Sequence, residues 1–163
     1  PLFGLAERLR ERGCAVHMVL AARTEAGLFG ALEAKRAART VVVVTEDGSV
    51  GMRGGVADLL PALLERTGSE VVYAAGPAPV LHAVAAAAER HGAWSQTALE
   101  TELVCVTGAC LTCVVPVVGE DGATRMVRAC LDGPVFRGDR VRWDDLGTVP
   151  ADVRGSARAE EAG

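Results

Sequence analysis

The spacing of the cysteines constrains this chain more than any other feature of its sequence. The 163 residues include five cysteines, and four of them form the pattern Cys105-x4-Cys110-x2-Cys113 with Cys130 further along. Each iron of a two-iron cluster takes two thiolates, so four thiolates complete one cluster. Three of these sulfurs lie on one tight loop, and the fourth returns on a later segment. The pattern therefore predicts a [2Fe–2S] site with all four cysteines as metal ligands.

Small residues inside the loop agree with this prediction, because Gly108 and Ala109 let the backbone bend until its amide groups face the cluster. Two alternatives are open at this point. A structural zinc site also uses four cysteines, but it usually contains two C-x2-C pairs, and only one is present here. The four cysteines could instead be unliganded core residues. Cys14 opens an apolar segment and is expected to be a small buried hydrophobic residue.

Composition excludes several classes of protein. Half of the residues are hydrophobic, which is enough to bury a core and excludes a disordered chain. Seventeen basic and 21 acidic residues give a net charge of −4, so no basic surplus favours binding to nucleic acid. Glycine and proline interrupt the apolar stretches before they reach the length of a membrane span. The sequence begins without a secretory signal and without methionine, so we expect a cytoplasmic protein and a fragment of a longer chain.

Upstream of the cysteines, segments of strand length alternate with segments of helical periodicity. Short apolar runs predict three strands, at 14–21, 41–44 and 71–75. Apolar residues at helical spacing predict four helices, which end before Gly13, near residue 38, before Gly68 and near Gly92. Strands that are apolar on both faces are typical of a parallel sheet covered by helices. We therefore predict an α/β fold for this part of the chain.

The pattern changes after Thr97. Short β runs at 114–118 and 124–129, with a hairpin-like turn between them, replace the long helices. Small, polar and charged residues dominate from Thr148 onward. The sequence therefore predicts three parts: an α/β lobe at 1–97, a small β-rich cluster module at 98–147 and a mobile tail at 148–163.

A resemblance to a known family becomes specific at the cysteines. Residues 102–118, 127–136 and 141–143 resemble the cluster-binding module of the electron-transfer subunits of dihydroorotate dehydrogenase B. The four-cysteine pattern, which continues from Cys130 as Cys-x-Asp-Gly-Pro-Val-Phe, carries this resemblance. One position departs from the family pattern. The residue after the first ligand is usually glycine, and here it is Val106, whose β-branched side chain restricts the loop.

The upstream part is similar to the nucleotide-binding lobe of the ferredoxin–NADP reductase superfamily. Three segments carry this similarity, at 21–24, 45–49 and 73–79. The two resemblances together cover roughly residues 1–147. They imply a parallel-sheet, ferredoxin-reductase-like lobe, without its first strand and glycine-rich turn, followed by the [2Fe–2S] module.

The family resemblance also implies a function. Such subunits carry FAD on the full-length chain together with the two-iron cluster, and they pair with an FMN-containing catalytic subunit, here expected as a heterotetramer. Electrons pass from dihydroorotate to FMN, across the cluster to FAD, and leave on NAD⁺ in pyrimidine biosynthesis, while this chain alone is expected to be inactive. Related subunits of sulfhydrogenases and transhydrogenases are one alternative. A non-catalytic zinc-binding module is the other.

Candidate nucleotide-binding residues lie where predicted strands end. Arg23 follows the first strand and could grip ribose or phosphate oxygens, although a solvated loop arginine is the plainer interpretation. Thr45 and Asp47 follow the second strand and could contact the nucleotide or form an Asp-Gly turn. Gly76 and Pro77 follow the third strand, where the resemblance places the nicotinamide side of the cleft, and helix initiation by proline is the alternative.

The sequence also bears on the choice between NAD and NADP and on whether the chain carries a catalytic residue. Arg53 is the only basic residue near the turn at 45–51, which favours NAD over NADP. No Ser–His–Asp set and no paired carboxylates stand out in the sequence, so no residue is expected to act as an acid, base or nucleophile.

Overall fold

The computed structural model describes residues 2–154. The contacts within the chain divide it into two compact units, the first ending at Glu70 and the second beginning at Val71. The first unit holds one sheet and two small hydrophobic cores, and the second holds a three-stranded sheet, a two-stranded sheet and a core of its own. The predicted α/β fold with parallel strands is confirmed.

The first unit is a three-stranded parallel sheet with helices from the intervening segments. Its elements are α1 (Leu2–Glu11), β1 (His17–Ala22), α2 (Ala31–Ala37), β2 (Thr40–Thr45), β3 (Met52–Arg53) and α3 (Val56–Thr67). The strand order is β1-β2-β3, and β1 pairs with β2 from His17 opposite Thr40 to Ala22 opposite Thr45. The apolar residues of β1 and β2 face two small cores, one built around Met18 and Ala34 and the other around Val44.

Two sequence predictions in this unit are wrong in detail. The second predicted helix, which was expected to end near residue 38, is a single 3₁₀ turn at Glu25–Gly27 followed by the separate helix α2. Gly30 separates the turn from the helix, because its left-handed backbone (φ 73°) changes the direction of the chain directly before α2. The first strand begins at His17 rather than at residue 14, so Cys14 lies before the strand and is exposed instead of buried.

The second unit combines a helix, a mixed sheet and a hairpin. Its elements are β4 (Val71–Gly76), α4 (Ala78–Arg90), β5 (Trp94–Leu99), β6 (Val114–Val118), β7 (Thr124–Arg128), α5 (Ala129–Asp132) and β8 (Val135–Arg137). Strand β5 lies parallel to β4 and antiparallel to β8, while β6 and β7 form an antiparallel hairpin.

Strand β5 was not predicted from the sequence. Its segment alternates polar residues such as Ser95 and Thr97, which are buried here, so it lacks the apolar run that identified the other strands. The partner of β5 on one side is β8, which comes from beyond the cysteines. The boundary expected between residues 97 and 98 therefore falls inside a strand that pairs with the downstream segment.

One hydrophobic core joins α4 to the cysteine-containing segment. Leu81 of α4 is completely buried, and the core around it is formed by Leu99, Cys113, Val115, Ala129, Phe136 and Val141. Trp143 packs against this core and stacks on His82 of α4, with ring centroids 5.6 Å apart. The helix that follows Pro77 and the loop that carries the cysteines are thus parts of the same packed body.

The segment that was expected to start a tail makes specific contacts as far as residue 154. Val153 is buried, and the Arg154 amide donates to the Thr124 carbonyl at 2.9 Å. The Asp152 carboxylate accepts hydrogen bonds from the Arg142 guanidinium. Residues 155–163, which complete the expected tail, lie outside the described residues. Across residues 2–154, none of the helices has the length and apolarity that crossing a membrane requires.

Candidate functional site

The cysteine loop has an unusual backbone that turns amide groups toward sulfur. Val106 (φ 56°) and Leu111 (φ 58°) adopt the left-handed region that L residues rarely enter, and Gly108 (φ 78°) lies between them. The amides of Thr107 and Cys110 both donate to Cys105 Sγ, each at 3.4 Å. The left-handed residues therefore wrap the loop around its first cysteine.

The third and fourth cysteines meet at the edge of the hydrophobic core. Cys113 is buried directly before β6, and Cys130 lies in the short helix α5. The Ala129 amide donates to the Cys113 carbonyl at 2.9 Å, which holds the start of α5 against the end of the loop. The two thiols are close enough for each to shift the pKa of the other. Residues that are 17 positions apart in the sequence are thus brought side by side.

Hydrogen bonds favour the thiolate form of two of the four cysteines. The Thr107 side chain, followed by the amides of Cys110 and Thr107, lowers the pKa of Cys105 to about 5. Hydrogen bonding from the Cys130 amide and thiol lowers the pKa of Cys113. The pKa of Cys130 is raised, mainly because its thiol donates to Cys113. Since the thiolate is the form that binds metal, Cys105 and Cys113 are predisposed to act as ligands.

The donor set fits an iron–sulfur cluster in its chemistry. The four cysteines are free thiols, two carry lowered pKa values, and two loop amides are aimed at one of the sulfurs. Within residues 2–154, no three side chains of His, Cys, Asp or Glu stand together as a metal-binding group. Cys113 and Cys130 lie side by side, and Cys105 and Cys110 are on the loop that precedes Cys113. All four remain predicted ligands.

Two hydroxyl residues of the loop were missed in the sequence, Thr107, whose side chain lowers the pKa of Cys105, and Thr112. Thr112 donates its hydroxyl to Cys110 Sγ at 3.3 Å. The only signal available in the sequence is a hydroxyl residue inside the C-x2-C interval. That signal does not say where the hydroxyl points.

In the first unit, the structure brings three of the predicted nucleotide-binding residues to the carboxyl edge of the parallel sheet. Arg23 follows β1, Thr45 ends β2, and the Asp47 amide donates to the Arg23 carbonyl at 3.2 Å. The Thr45 side chain is completely buried, and its hydroxyl donates to the Val50 carbonyl at 2.8 Å. That bond closes the turn, so Thr45 has a structural role whether or not a nucleotide binds.

Asp47 and Arg23 are both exposed at this edge. The Asp47 carboxylate accepts hydrogen bonds from the hydroxyl and the amide of Ser49, at 2.7 and 2.9 Å. These two bonds, the hydroxyl first, lower the pKa of Asp47, so the carboxylate is ionised at neutral pH. An ionised carboxylate can accept further hydrogen bonds, since it has about four lone-pair sites.

Gly76 and Pro77 lie in the second unit, where β4 passes into α4. The Pro77 carbonyl accepts hydrogen bonds from the amides of Val80 and Leu81, at 3.0 and 3.1 Å, and so starts the helix. The alternative interpretation, helix initiation by proline, therefore describes what this turn does within the chain. A role in nucleotide binding stays a prediction for both residues.

Comparison with known proteins confirms the resemblance. Residues 100–142 match the family model described as the iron–sulfur cluster binding domain of dihydroorotate dehydrogenase B. The chain is 39% identical over 142 residues to the dihydroorotate dehydrogenase B (NAD⁺) electron transfer subunit of Geobacillus thermodenitrificans, covering 86% of this chain and 52% of that protein. It is 35% identical over 145 residues to the homologue of that subunit from Thermotoga maritima, covering 89% of this chain and 49% of that protein.

A solved structure is also similar to this chain. It is an NADH-dependent reduced ferredoxin–NADP oxidoreductase described in the context of flavin-based electron bifurcation, and it superposes with a TM-score of 0.75 at 31% identity. The match covers 89% of this chain and 50% of that one. The chain thus spans about half the length of the relatives that it matches.

Proposed function

Because residues 100–142 belong to the family of iron–sulfur cluster binding domains of dihydroorotate dehydrogenase B, we propose that this chain is part of an electron-transfer subunit. The subunit passes electrons from an FMN-containing dihydroorotate dehydrogenase subunit, through a [2Fe–2S] cluster and FAD, to NAD⁺ in pyrimidine biosynthesis. The relatives named as electron transfer subunits match this chain over most of its length. That similarity supports a role for the chain as a component of an oxidoreductase. The single observation that carries the proposal is the four-cysteine loop, whose amides face Cys105 Sγ.

The cysteines and their donors have distinct tasks in this proposal. A bound [2Fe–2S] cluster supplies one-electron transfer between two flavins. Cys105, Cys110, Cys113 and Cys130 hold it as thiolates. The amides that donate to Cys105 Sγ stabilise negative charge on that ligand. The buried side of the site, at Cys113, keeps water away from one end of it.

The sheet edge that carries Arg23 and Asp47 is the proposed nucleotide site of the first unit. Open α/β sheets bind ligands beyond the carboxyl ends of their strands, which is where these two residues lie. An ionised Asp47 can accept hydrogen bonds from ribose hydroxyls and repels a 2′-phosphate, which supports NAD rather than NADP. We measure the affinities for NADH and NADPH by titration, and we expect Asp47→Asn to reduce the ratio by which NADH is bound more tightly than NADPH. If Asp47→Asn binds both nucleotides with unchanged affinity, Asp47 is not part of the site.

Exposed apolar side chains around the cysteines support a protein partner. Leu103, Val104, Val106, Leu111 and Leu131 all expose more than half of their surface. Apolar side chains gathered around one site on a surface mark a contact region for another molecule. We propose that the FMN-containing catalytic subunit docks there, that the complex is a heterotetramer, and that it works in the cytoplasm, where thiols stay reduced.

The decisive test counts metal in the anaerobically purified chain. Iron, acid-labile sulfide and zinc are measured, with EPR spectra before and after dithionite, for the wild type and for Cys→Ser variants at positions 105, 110, 113 and 130. We expect two irons per chain, a reduced-state EPR signal, and loss or alteration of both in each variant. Cys14→Ser is the matched control and keeps the cluster. One zinc per chain, with no cluster after reconstitution, assigns the chain to a structural zinc module instead.

A second candidate function is favoured by the structural comparison. The solved relative is an NADH-dependent reduced ferredoxin–NADP oxidoreductase, so the subunit could belong to an electron-bifurcating reductase. The electron donor distinguishes the two. Reduction of the chain's cluster by dihydroorotate, in the presence of an FMN-containing dihydroorotate dehydrogenase, supports the first function. Reduction only in the presence of ferredoxin and a second nicotinamide nucleotide supports the other.

A further inference from the structure

The hydroxyl of Thr112 is a side-chain donor to one of the predicted ligands. Thr112 Oγ1 lies 3.3 Å from Cys110 Sγ and donates its proton to that sulfur. The left-handed backbone of Leu111, the residue between them, folds the chain so that the two side chains meet. The donors to Cys105 Sγ include two backbone amides, which a substitution removes only if it introduces proline and so also changes the backbone. Thr112 therefore offers a hydrogen bond to sulfur that a single substitution can delete.

We propose that the Thr112 hydroxyl raises the reduction potential of the cluster held by this loop, by hydrogen bonding to the sulfur of Cys110. This inference rests on the proposed function, because it requires a cluster on the four cysteines. Hydrogen bonds to the sulfurs are among the features that set the potential of iron–sulfur sites. Thr112 is a positioning residue in this sense, since it touches a ligand rather than iron.

The direction of the effect follows from the change in charge. Reduction adds one electron, supplied by the donor flavin, and neither forms nor breaks a bond in the protein. The added negative charge is shared with the thiolate ligands, and an O–H donor stabilises the more negative state more strongly. The oxidised state gains less from the same bond. Removing the hydroxyl therefore makes reduction less favourable and lowers the potential.

The experiment compares three variants of the purified chain, each loaded with its cluster. Thr112→Val removes the hydroxyl at nearly constant volume, and Thr112→Ser retains it. Thr148→Val is the matched control, because the Thr148 hydroxyl donates to the Asp145 carbonyl outside the cysteine loop. Iron and sulfide are counted first. The midpoint potential is then measured by an EPR-monitored titration with redox mediators, and resonance Raman spectra report the iron–cysteine stretching bands.

We expect Thr112→Val to retain two irons per chain and to shift the potential downward. At a fixed solution potential, the ratio of reduced to oxidised cluster falls at least threefold, which is about 28 mV at 59 mV per decade for a one-electron couple. The iron–cysteine bands move to higher frequency, because the sulfur of Cys110 loses a competing hydrogen bond. Thr112→Ser, which keeps the hydroxyl, has a potential close to that of the wild type. Thr148→Val leaves both the potential and the iron–cysteine bands at their wild-type values.

The outcomes separate this inference from the proposed function. A wild-type chain without iron refutes the proposed function itself. A Thr112→Val cluster at the wild-type potential overturns only the role of Thr112. If Thr112→Val fails to hold iron, Thr112→Ala takes its place in the titration. Loss of iron in both of these variants assigns Thr112 to holding or packing the loop, and that result also overturns the inference.

Discussion

Leu81 offers the sharpest test of the packing that joins α4 to the cysteine loop. The side chain has no exposed surface, and it lies in the same core as Cys113 and Phe136. Replacing it with alanine removes three carbon groups, worth about 2.4 kcal/mol in transfer free energy at roughly 0.8 kcal/mol each. The cavity left behind adds to this loss, so we expect Leu81→Ala to lower the free energy of unfolding by about 3–5 kcal/mol.

Tryptophan fluorescence measures this loss selectively. Both tryptophans of the chain, Trp94 and Trp143, lie in the second unit, so their emission during urea denaturation reports on that unit. Leu103→Ala is the matched control, because 52% of the Leu103 surface is exposed. We expect the control to lose less than about 1 kcal/mol. A loss for Leu81→Ala that is no larger than that of the control would refute the common core.

The same substitution has a consequence for the metal site. Because Leu81 and Cys113 share one core, loosening that core allows the Cys113 ligand to move. We therefore expect purified Leu81→Ala to contain less iron per chain than Leu103→Ala. Equal iron contents, measured on chains that are equally folded, show that the site does not depend on this packing.

Three further substitutions test individual features of the structure. A Cβ at Gly51 would collide with a main-chain oxygen of β2 at a left-handed position, so Gly51→Ala costs about 2–3 kcal/mol, measured by far-UV circular dichroism during urea denaturation. Val106→Gly relieves left-handed strain of about 1 kcal/mol, so iron leaves the loop more slowly in the presence of a chelator. The Arg142 guanidinium lowers the pKa of Asp152, so the ionised carboxylate stabilises the fold and Asp152→Asn lowers the melting temperature at pH 7. The difference in melting temperature between wild type and variant disappears as the pH falls below 3.8, because the wild-type carboxylate is then protonated.

Each of these predictions has a control or an outcome that contradicts it. Gly48→Ala is the control for Gly51→Ala, because Gly48 is also left-handed and its added methyl approaches the Arg53 side chain, 3.1 Å from Cβ, instead of a main-chain oxygen. A cost as large as that of Gly51→Ala contradicts the collision. Faster loss of iron from Val106→Gly shows that the valine supports the loop. A difference for Asp152→Asn that persists unchanged at pH 2 shows that its effect does not come from the ion pair.

The candidate metal ligands could be proposed from the sequence because the pattern depends on short-range spacing. A C-x4-C-x2-C interval places three sulfurs on one loop whatever surrounds it, and the family resemblance that rests on it is confirmed by the match at 100–142. The same holds for the β-branched residues of β2, which form a strand as predicted, although only Val44 and Thr45 of that strand are buried. The parallel pairing of β1 with β2 follows from the helix between them.

Features that depend on distant partners were not predictable. Strand β5 carries polar residues, and it is a strand because β4 and β8 lie on either side of it. Cys14 was expected to be buried and is exposed, because pairing with β2 starts only at His17. One local feature was also missed: Thr112 lies only two residues from Cys110, but their contact depends on the left-handed backbone at Leu111, which residue type does not predict.

Residue type and local spacing therefore determined which groups of this chain can bind metal and which segments can form strands. Tertiary structure alone decided that Cys113 lies beside Cys130, that the polar segment of β5 becomes a strand and which helix packs behind the cysteines. The reason is physical. Covalent geometry restricts neighbours along the chain, whereas hydrogen bonding and burial depend on groups that only folding brings within a few ångströms of each other.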